Sequence, residues 1–427
     1  MSVYNIIFAE TEIPEIIPVK YRLPEGKITQ AQIQTKVAET IEQSGSLQQV
    51  KAGQTVALAV GSREINHINL IVKAVVQKFL DIEAKPFIIP AMGSHGGATA
   101  IGQQEVLAGY GITEDTMGVP VKATMETVQF ENTPSGLHVY LDKYANEADY
   151  IIPIGRIKPH TDFRGEIESG LMKMLAVGCG KQQGANVCHS RGIDYISNNI
   201  VDLAGVIQKR KSVPFGLGII EDAFHNTYFV QAVPGNELEK REKELLKIAK
   251  SLVTCIPFEK VDVIVMEEIG KDISGAGMDP NVTGRSLMLG VSRPYAERIA
   301  VLDLSEKSQH SAAGIGTADV TTQRLFEKTD LEKTYVNGIT SHDPLSIKMP
   351  PIMPTDRDAI KLALQTCLEA DLKQGYRMVM LKNTLHLNSF YISPALLEEA
   401  KGNPDITILG EARPLEFDSQ GNLPYLS

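Results

Sequence analysis

Apolar positions along this chain fall into two alternating rhythms. TVALAV (55–60) is an unbroken apolar run closed by Gly61 and Ser62, and the following INHINLIVKAVVQKFLDI returns to an apolar residue every three or four positions. The first pattern marks a strand buried on both faces, the second a helix with one apolar stripe. KPFIIPAM (85–92), the turn Gly93-Ser94-His95-Gly96-Gly97 and a helix over Ala100–Gly109 repeat the design, and DYIIPIG (149–155) brings a third strand that runs into the basic loop Arg156 to His160. Alternation of this kind predicts a Rossmann-like parallel sheet with helices over its faces.

Further out the pattern is coarser. YNIIF (4–8) and IIPVKY (16–21) read as early strands and 30–44 as a polar amphipathic helix. A helix is expected over 193–213, a strand at FGLGIIEDAF (215–224), and a long charged helix at NELEKREKELLKIAKSLV (236–253). PFEKVDVIVMEEIG (257–270) then opens a new strand, followed by a glycine-rich loop to Arg285, the strand ERIAVLDLSE (297–306), a helix that Thr355 is placed to N-cap, and short strands at MVMLKN and ITILGE. A chain of 427 residues exceeds one ordinary core, so we expect two α/β domains, 1–255 and 256–427.

Composition narrows the function. A hydrophobic content of 43% with 22% charged residues is that of a soluble globular protein, and a net charge of −10 argues against a general nucleic-acid binder. The four cysteines form no CxxC pair, so neither a disulfide framework nor a cysteine zinc site is indicated. MSVYNIIFAETEIPEIIPVKY carries acids and prolines where an export signal needs a basic start and an apolar run, and no 18-residue apolar stretch exists, so no membrane span and a cytoplasmic location are expected.

Ligands of parallel α/β sheets bind outside the carboxyl ends of the strands, where Arg63, His95 and His160 all fall. His95, among glycines that let backbone approach a ligand, reads either as a functional group or as a loop histidine tied to a carbonyl. His160 stands near Arg156, Lys158 and Arg164, a setting for a neutral base acting on an anion, or for a solvated turn. Lys173, flanked by leucine and methionine, is either a covalent attachment point or a helix lysine reaching for water. His189 beside Cys188 is a metal ligand or a structural histidine, and Cys179 and Cys188 read as small buried residues. In the glycine-rich loop 270–285, Lys271 and Arg285 are the cations that would grip a carboxylate.

The ordered set Gly61-Ser62-Arg63, Gly93-Ser94-His95, Lys158-Pro159-His160, Lys173 and His189, with PTDRDA at 354–359, resembles the nickel-dependent lactate racemase family along nearly the whole chain. The resemblance implies two α/β domains with an interdomain active-site cleft, and a nickel pincer nucleotide (pyridinium-3-thioamide-5-thiocarboxylic acid mononucleotide holding Ni). It implies that Lys173 holds this cofactor covalently, with Ser62 contributing to its site, and that His189 ligates nickel. His95 and His160 would be the paired acid/base residues, Arg63 would bind the substrate carboxylate, and Arg164 and Arg285 are further substrate-binding candidates. Cofactor-synthesis proteins would be partners, and a homo-oligomer stays open. The expected activity is that of an isomerase, a racemase or epimerase inverting C2 of a 2-hydroxy acid.

The chain departs from the family pattern in three places. Val60 stands where an aspartate is usual, about three extra residues separate His160 from Lys173, and the second-domain loop lacks the usual glutamine and lysine, with Arg285 or Asn281 as substitutes. These departures, with Asp162, Arg164 and Glu166 as extra hydrogen-bonding groups, lean toward a sugar acid rather than lactate. Two other classes stay in view: a non-catalytic nucleotide or anion-binding protein, and a zinc hydrolase using His95, His160 and His189.

Overall fold

The computed structural model describes residues 3–26, 28–62, 65–286, 290–291, 293–340 and 343–424. Its contacts divide the chain into two units, Glu25–Leu252 and a second made of the first 24 residues with Val253–Ser427. Each has α/β character with its own sheet.

In the Glu25–Leu252 unit, five strands lie in the order Lys85–Pro90, Thr55–Val60, Tyr150–Arg156, Phe215–Glu221, Thr227–Pro234. The first four are parallel and the last is antiparallel to its neighbour. The apolar run 55–60 occupies the interior as its pattern predicts, with Val56 to Val60 completely inaccessible to solvent. One face is covered by Gln30–Ser44 and Ile68–Asp81; the latter buries the stripe Ile71, Val72, Val75 and Phe79, and Phe79 stacks on Phe215 with ring centroids 6.0 Å apart. Each such side chain contributes about 2 kcal/mol of burial. The other face is packed by Leu203, Ile207, Leu245 and Leu246 of Ile196–Arg210 and Leu238–Leu252.

Chain order in this sheet matters for function. From Thr55–Val60 the chain steps to Lys85–Pro90 on one side, then to Tyr150–Arg156 on the other. The carboxyl edge between Thr55–Val60 and Tyr150–Arg156 is therefore a topological switch point, where loops diverge and leave a crevice.

The second unit has an eight-stranded sheet in the order Ile352–Met353, Val320–Thr322, Tyr295–Leu304, Lys260–Ile269, Met378–Leu381, Ser389–Ile392, Ile17–Tyr21, Ile406–Ile408. The first five strands are parallel, and the others join antiparallel. This differs from a division at residue 255, because the N-terminal segment pairs with Ser389–Ile392 and Ile406–Ile408, burying Val19 completely. YNIIF is also not a strand: Val3–Ile7 is helical, and Tyr4 and Phe8, four apart, stack at 6.0 Å on one helical face. Thr355 caps its helix as expected, accepting from the Asp358 N–H at 3.1 Å. Among the described residues no helix is long and apolar enough to cross a membrane.

Candidate active site

From Leu171 to His189 the chain is helical almost throughout. Leu171–Lys173 leads into a π turn, Met174–Gly178, and then Lys181–His189. The π turn is closed by the Cys179 N–H on the Met174 carbonyl at 2.8 Å, five residues back. Single π turns inside helices are frequent at functional sites, because the wider turn redirects the side chains beside it. Lys173 stands at this junction.

Glycines at the strand ends let the segment lie across the switch point. A Cβ on Gly61 would come within 3.2 Å of Met174 Sδ, one on Gly155 within 2.9 Å of Met174 Cγ, and one on Gly178 within 2.7 Å of the Ala91 carbonyl oxygen. Gly93, with φ +59, donates its N–H to the Gly178 carbonyl at 3.2 Å. Gly61 and Gly93 follow their strands and Gly155 lies at the end of its own, the three strands that lead to Ser62, His95 and His160, so the pattern that ends each strand also seats the Lys173 segment.

The start of that segment is held from the helix Leu238–Leu252. Glu242, fully buried, accepts the Met172 N–H at 2.9 Å and also the Leu171 N–H. Burial pushes its carboxyl up to about 7, opposed by those two backbone donors. Gly170 has to be glycine here, since a Cβ would sit 2.2 Å from Glu242 Oε1. Nothing in the sequence pattern singles out Glu242 among the many charges of its helix.

His160 sits in a loop closed by paired backbone bonds between Lys158 and Ser169 (3.0 and 3.2 Å). Its own N–H donates to the buried Glu168 carboxylate at 2.7 Å, and Lys250 pairs with Glu168 at 2.7 Å. The ring stacks on Phe163 with centroids 4.3 Å apart, and the Lys173 ammonium lies 5.4 Å from the same Phe163 ring. Phe163 thus joins the acid/base candidate to the attachment candidate, a role the sequence did not reveal. The Asp162 backbone N–H donates to His160 Nδ1 at 3.0 Å, and the Asp162 carboxylate is 3.8 Å from the same nitrogen. A neutral His160 therefore carries its proton on Nε2.

His189 has the opposite tautomer. Its Nδ1 lies 2.7 Å from the Ala185 carbonyl oxygen, which only accepts, so Nδ1 carries the proton and Nε2 holds the lone pair. This is the arrangement that orients an imidazole toward a metal. Its neighbour Cys188 is buried and pushed up to about 12 by burial, although the nearby Lys173 charge works against the rise. Buried Cys179 is likewise raised to about 12 by burial, so both thiols are inert, as expected of small core residues.

His95 pairs through Nδ1 with the Ser62 hydroxyl at 2.5 Å, and the Tyr110 hydroxyl donates to the Ser62 carbonyl. Ser62 and His95 are thus brought together. Arg63 lies outside the described residues.

Several other candidates are engaged elsewhere. Arg164 donates to the His160 and Phe163 carbonyls, fastening the loop, and Glu166 pairs with Lys243 at 2.8 Å. Arg156 is paired with buried Glu221, which also accepts the Asn66 N–H at 2.8 Å. Burial works to raise the Glu221 carboxyl, but His225, Arg156 and the Asn66 N–H together hold it below its ordinary value. The largest correction concerns Arg285. Its guanidinium binds Asp319 and the carbonyls of Ala296 (2.6 Å) and Glu297 (2.9 Å), tying two strands of the second unit together, so its fork is spent within the fold. Asn281 is similarly turned back onto Asp279 at 2.9 Å. Lys271 borders a shallow 510 Å³ depression in the second unit with Ser308, Ser311 and Lys333. Among the described residues no group of three or more His, Cys, Asp and Glu side chains is placed to hold a metal ion.

Residues 6–193 match the family described as lactate racemase N-terminal domain. Among solved structures, the lactate racemase apoprotein from Thermoanaerobacterium thermosaccharolyticum is similar, at 14% sequence identity and a TM-score of 0.44, covering 86% of this chain and 88% of that one. No curated protein matches this sequence.

Proposed function

We propose that this chain, whose residues 6–193 match the lactate racemase N-terminal domain, is an isomerase that inverts C2 of a 2-hydroxy acid with His95 and His160 as its acid/base pair. The observation that carries the proposal is the pair of opposite tautomers on one segment: His160 presents a proton at Nε2, and His189 presents a lone pair. One is fitted to proton transfer and the other to ligation.

The donor set fits the nickel pincer nucleotide that the family resemblance implies. A metal held by protein alone needs three or four side-chain ligands, and no such cluster occurs among the described residues. That removes the support for a zinc hydrolase built on His95, His160 and His189. A metal whose other donors come from an organic group needs only one protein ligand, which His189 would be. Lys173, half-buried just before the π turn, beside Phe163 and near Cys188, would hold the group covalently, and Ser62, paired with His95, is proposed to contribute to its site. When bound, the nucleotide supplies a centre that accepts a hydride from the substrate carbon and returns it.

The chain's own residues handle the proton. In one direction His95 takes the proton of the substrate hydroxyl, and after the planar keto acid has turned, His160 returns a proton from Nε2 to the oxygen. In the other direction the roles exchange, which is why two imidazoles are required. Arg63 is proposed for the carboxylate, and Arg164 for fixing the His160 loop and lining the substrate side. Arg285 drops out of this proposal.

For the substrate we favour a longer, polyhydroxylated acid. Asp162 stands on the loop that carries His160, its carboxylate 3.8 Å from His160 Nδ1, whereas Glu166 is occupied by Lys243. The test is stereochemical: cofactor-loaded protein is given single enantiomers or epimers of lactate and of sugar acids, and products are separated on a chiral column. Inversion of a sugar acid is expected. Inversion of lactate alone would overturn the substrate assignment, and inversion of no 2-hydroxy acid by nickel-loaded protein would overturn the function.

A further inference from the structure

Beneath the His95 loop lies a polar network with no exposure to solvent. Lys181, Gln103 and Asp142 are each 0% exposed. The Lys181 ammonium donates to the Pro90 carbonyl at 2.6 Å and to Gln103 Oε1 at 3.0 Å, and lies 2.9 Å from Asp142 Oδ2. The ammonium thus makes two hydrogen bonds and one ion pair. Because Lys181 fixes the oxygen end of the Gln103 amide, the nitrogen end faces the loop, where Nε2 donates to the carbonyls of Gly93 (2.9 Å) and His95 (3.2 Å).

This network costs the fold something. Lys181 has φ +56, in the left-handed region that lysine seldom adopts. Burial raises the Asp142 carboxyl although Lys181 opposes the rise. A buried ion pair seldom stabilises a fold more than apolar residues of the same volume would. What it supplies here is direction. Lys181 opens the helix that ends at His189, the Asp142 N–H donates to the Cys179 carbonyl at 2.7 Å, and Gln103 grips the main chain of the turn that carries His95.

We propose that Lys181, acting through Gln103, is a positioning residue that fixes the His95 turn and locks it to the helical segment carrying Lys173 and His189. This rests on the reading of His95 as an acid/base, but the structural coupling is testable without substrate or cofactor. With His95 held at its carbonyl, the Ser62 hydroxyl meets Nδ1 in one geometry. Without that hold, the turn rotates among its glycines and the imidazole loses its fixed geometry to Ser62.

The experiment uses full-length apoprotein labelled with 15N in histidine, with His95→Gln to assign the His95 ring signals. Long-range 1H–15N spectra report the tautomer of each ring. In Gln103→Leu, which keeps the Lys181–Asp142 pair, His95 is expected to pass from one tautomer to a mixture while His160 and His189 keep theirs. The double variant Lys181→Met/Asp142→Asn removes the charge pair together, leaves no lone buried charge, and is expected to give the same change. A wild-type His95 spectrum in both folded variants would overturn the proposal, whatever happens to thermal stability, because a merely structural brace moves Tm and not the tautomer. Failure of the racemase reading alone would leave the His95 change in place and remove only its catalytic meaning.

Discussion

The strand ends of the two sheets are made of similar material and treat it differently. In the second unit, Arg285 is bound by Asp319, Arg324 reaches both oxygens of Asp356 (2.9 and 3.1 Å) and lies 3.0 Å from Asp303, and Lys328 lies 3.0 Å from Asp303. Cation meets carboxylate, and the chemistry of both is used up in holding strands together. In the Glu25–Leu252 unit, two candidate imidazoles are held instead by main-chain groups, His160 by the Asp162 N–H and His189 by the Ala185 carbonyl, and His95 by the neutral Ser62 hydroxyl. A main-chain anchor on one ring nitrogen sets the state of the other without neutralising it. The same unit also contains closed pairs such as Arg156–Glu221, and these brace the loops around the imidazoles. A rim of cations is thus not a site until their partners are known.

That contrast can be broken most sharply at the imidazoles. Replacing His95 or His160 by glutamine should lower inversion roughly a thousandfold, the scale of a lost general acid/base, while the covalent group on Lys173 remains detectable by mass. Turnover retained in both variants would remove the two-histidine scheme.

The next effect concerns the Glu242 carboxyl that caps the Lys173 segment. Its folded value of about 7 lies above the ordinary 4.5, so the native state binds this proton more tightly than the unfolded chain. Stability from this group is present at pH below about 4.5 and is lost as pH rises through about 7, by roughly 3 kcal/mol in all. Urea unfolding at pH 5 and pH 8 should therefore show Glu242→Gln gaining on the wild type at the higher pH. An equal difference at both values would show that the carboxyl does not change charge across that window.

The smallest effect sharpens the comparison from the other side. Arg285→Gln should lose roughly 2 kcal/mol of stability by leaving Asp319 without its charged partner, with turnover per folded molecule unchanged within a factor of two. A raised KM at unchanged stability would return Arg285 to the substrate site.

Much of this arrangement is legible in the sequence because it depends on local pattern. Apolar runs closed by Gly61, Gly93 and Gly155 give the strands and the edge on which His95 and His160 stand. Other features depend on contacts distant in sequence. Ile17–Tyr21 has an ordinary strand pattern, but nothing local says that its partners are Ser389–Ile392 and Ile406–Ile408. Arg285 looks available in a glycine-rich loop until Asp319 is placed beside it. Phe163, Gln103, Lys181 and Glu242 carry no motif, since their roles come from what they touch. The tautomers of His160 and His189 follow from single backbone groups two and four residues away, a spacing that becomes informative only once the loop and helix are formed.

The central claim is that Lys173 and His189 hold a nickel-bearing nucleotide at the switch point. It is tested most directly by intact mass and metal content measured on one sample of protein made in cells that synthesise the cofactor. The account predicts an adduct of mononucleotide size with about one nickel per chain, lost in Lys173→Ala. An unmodified wild-type chain without nickel, or an adduct that persists in Lys173→Ala, would contradict it.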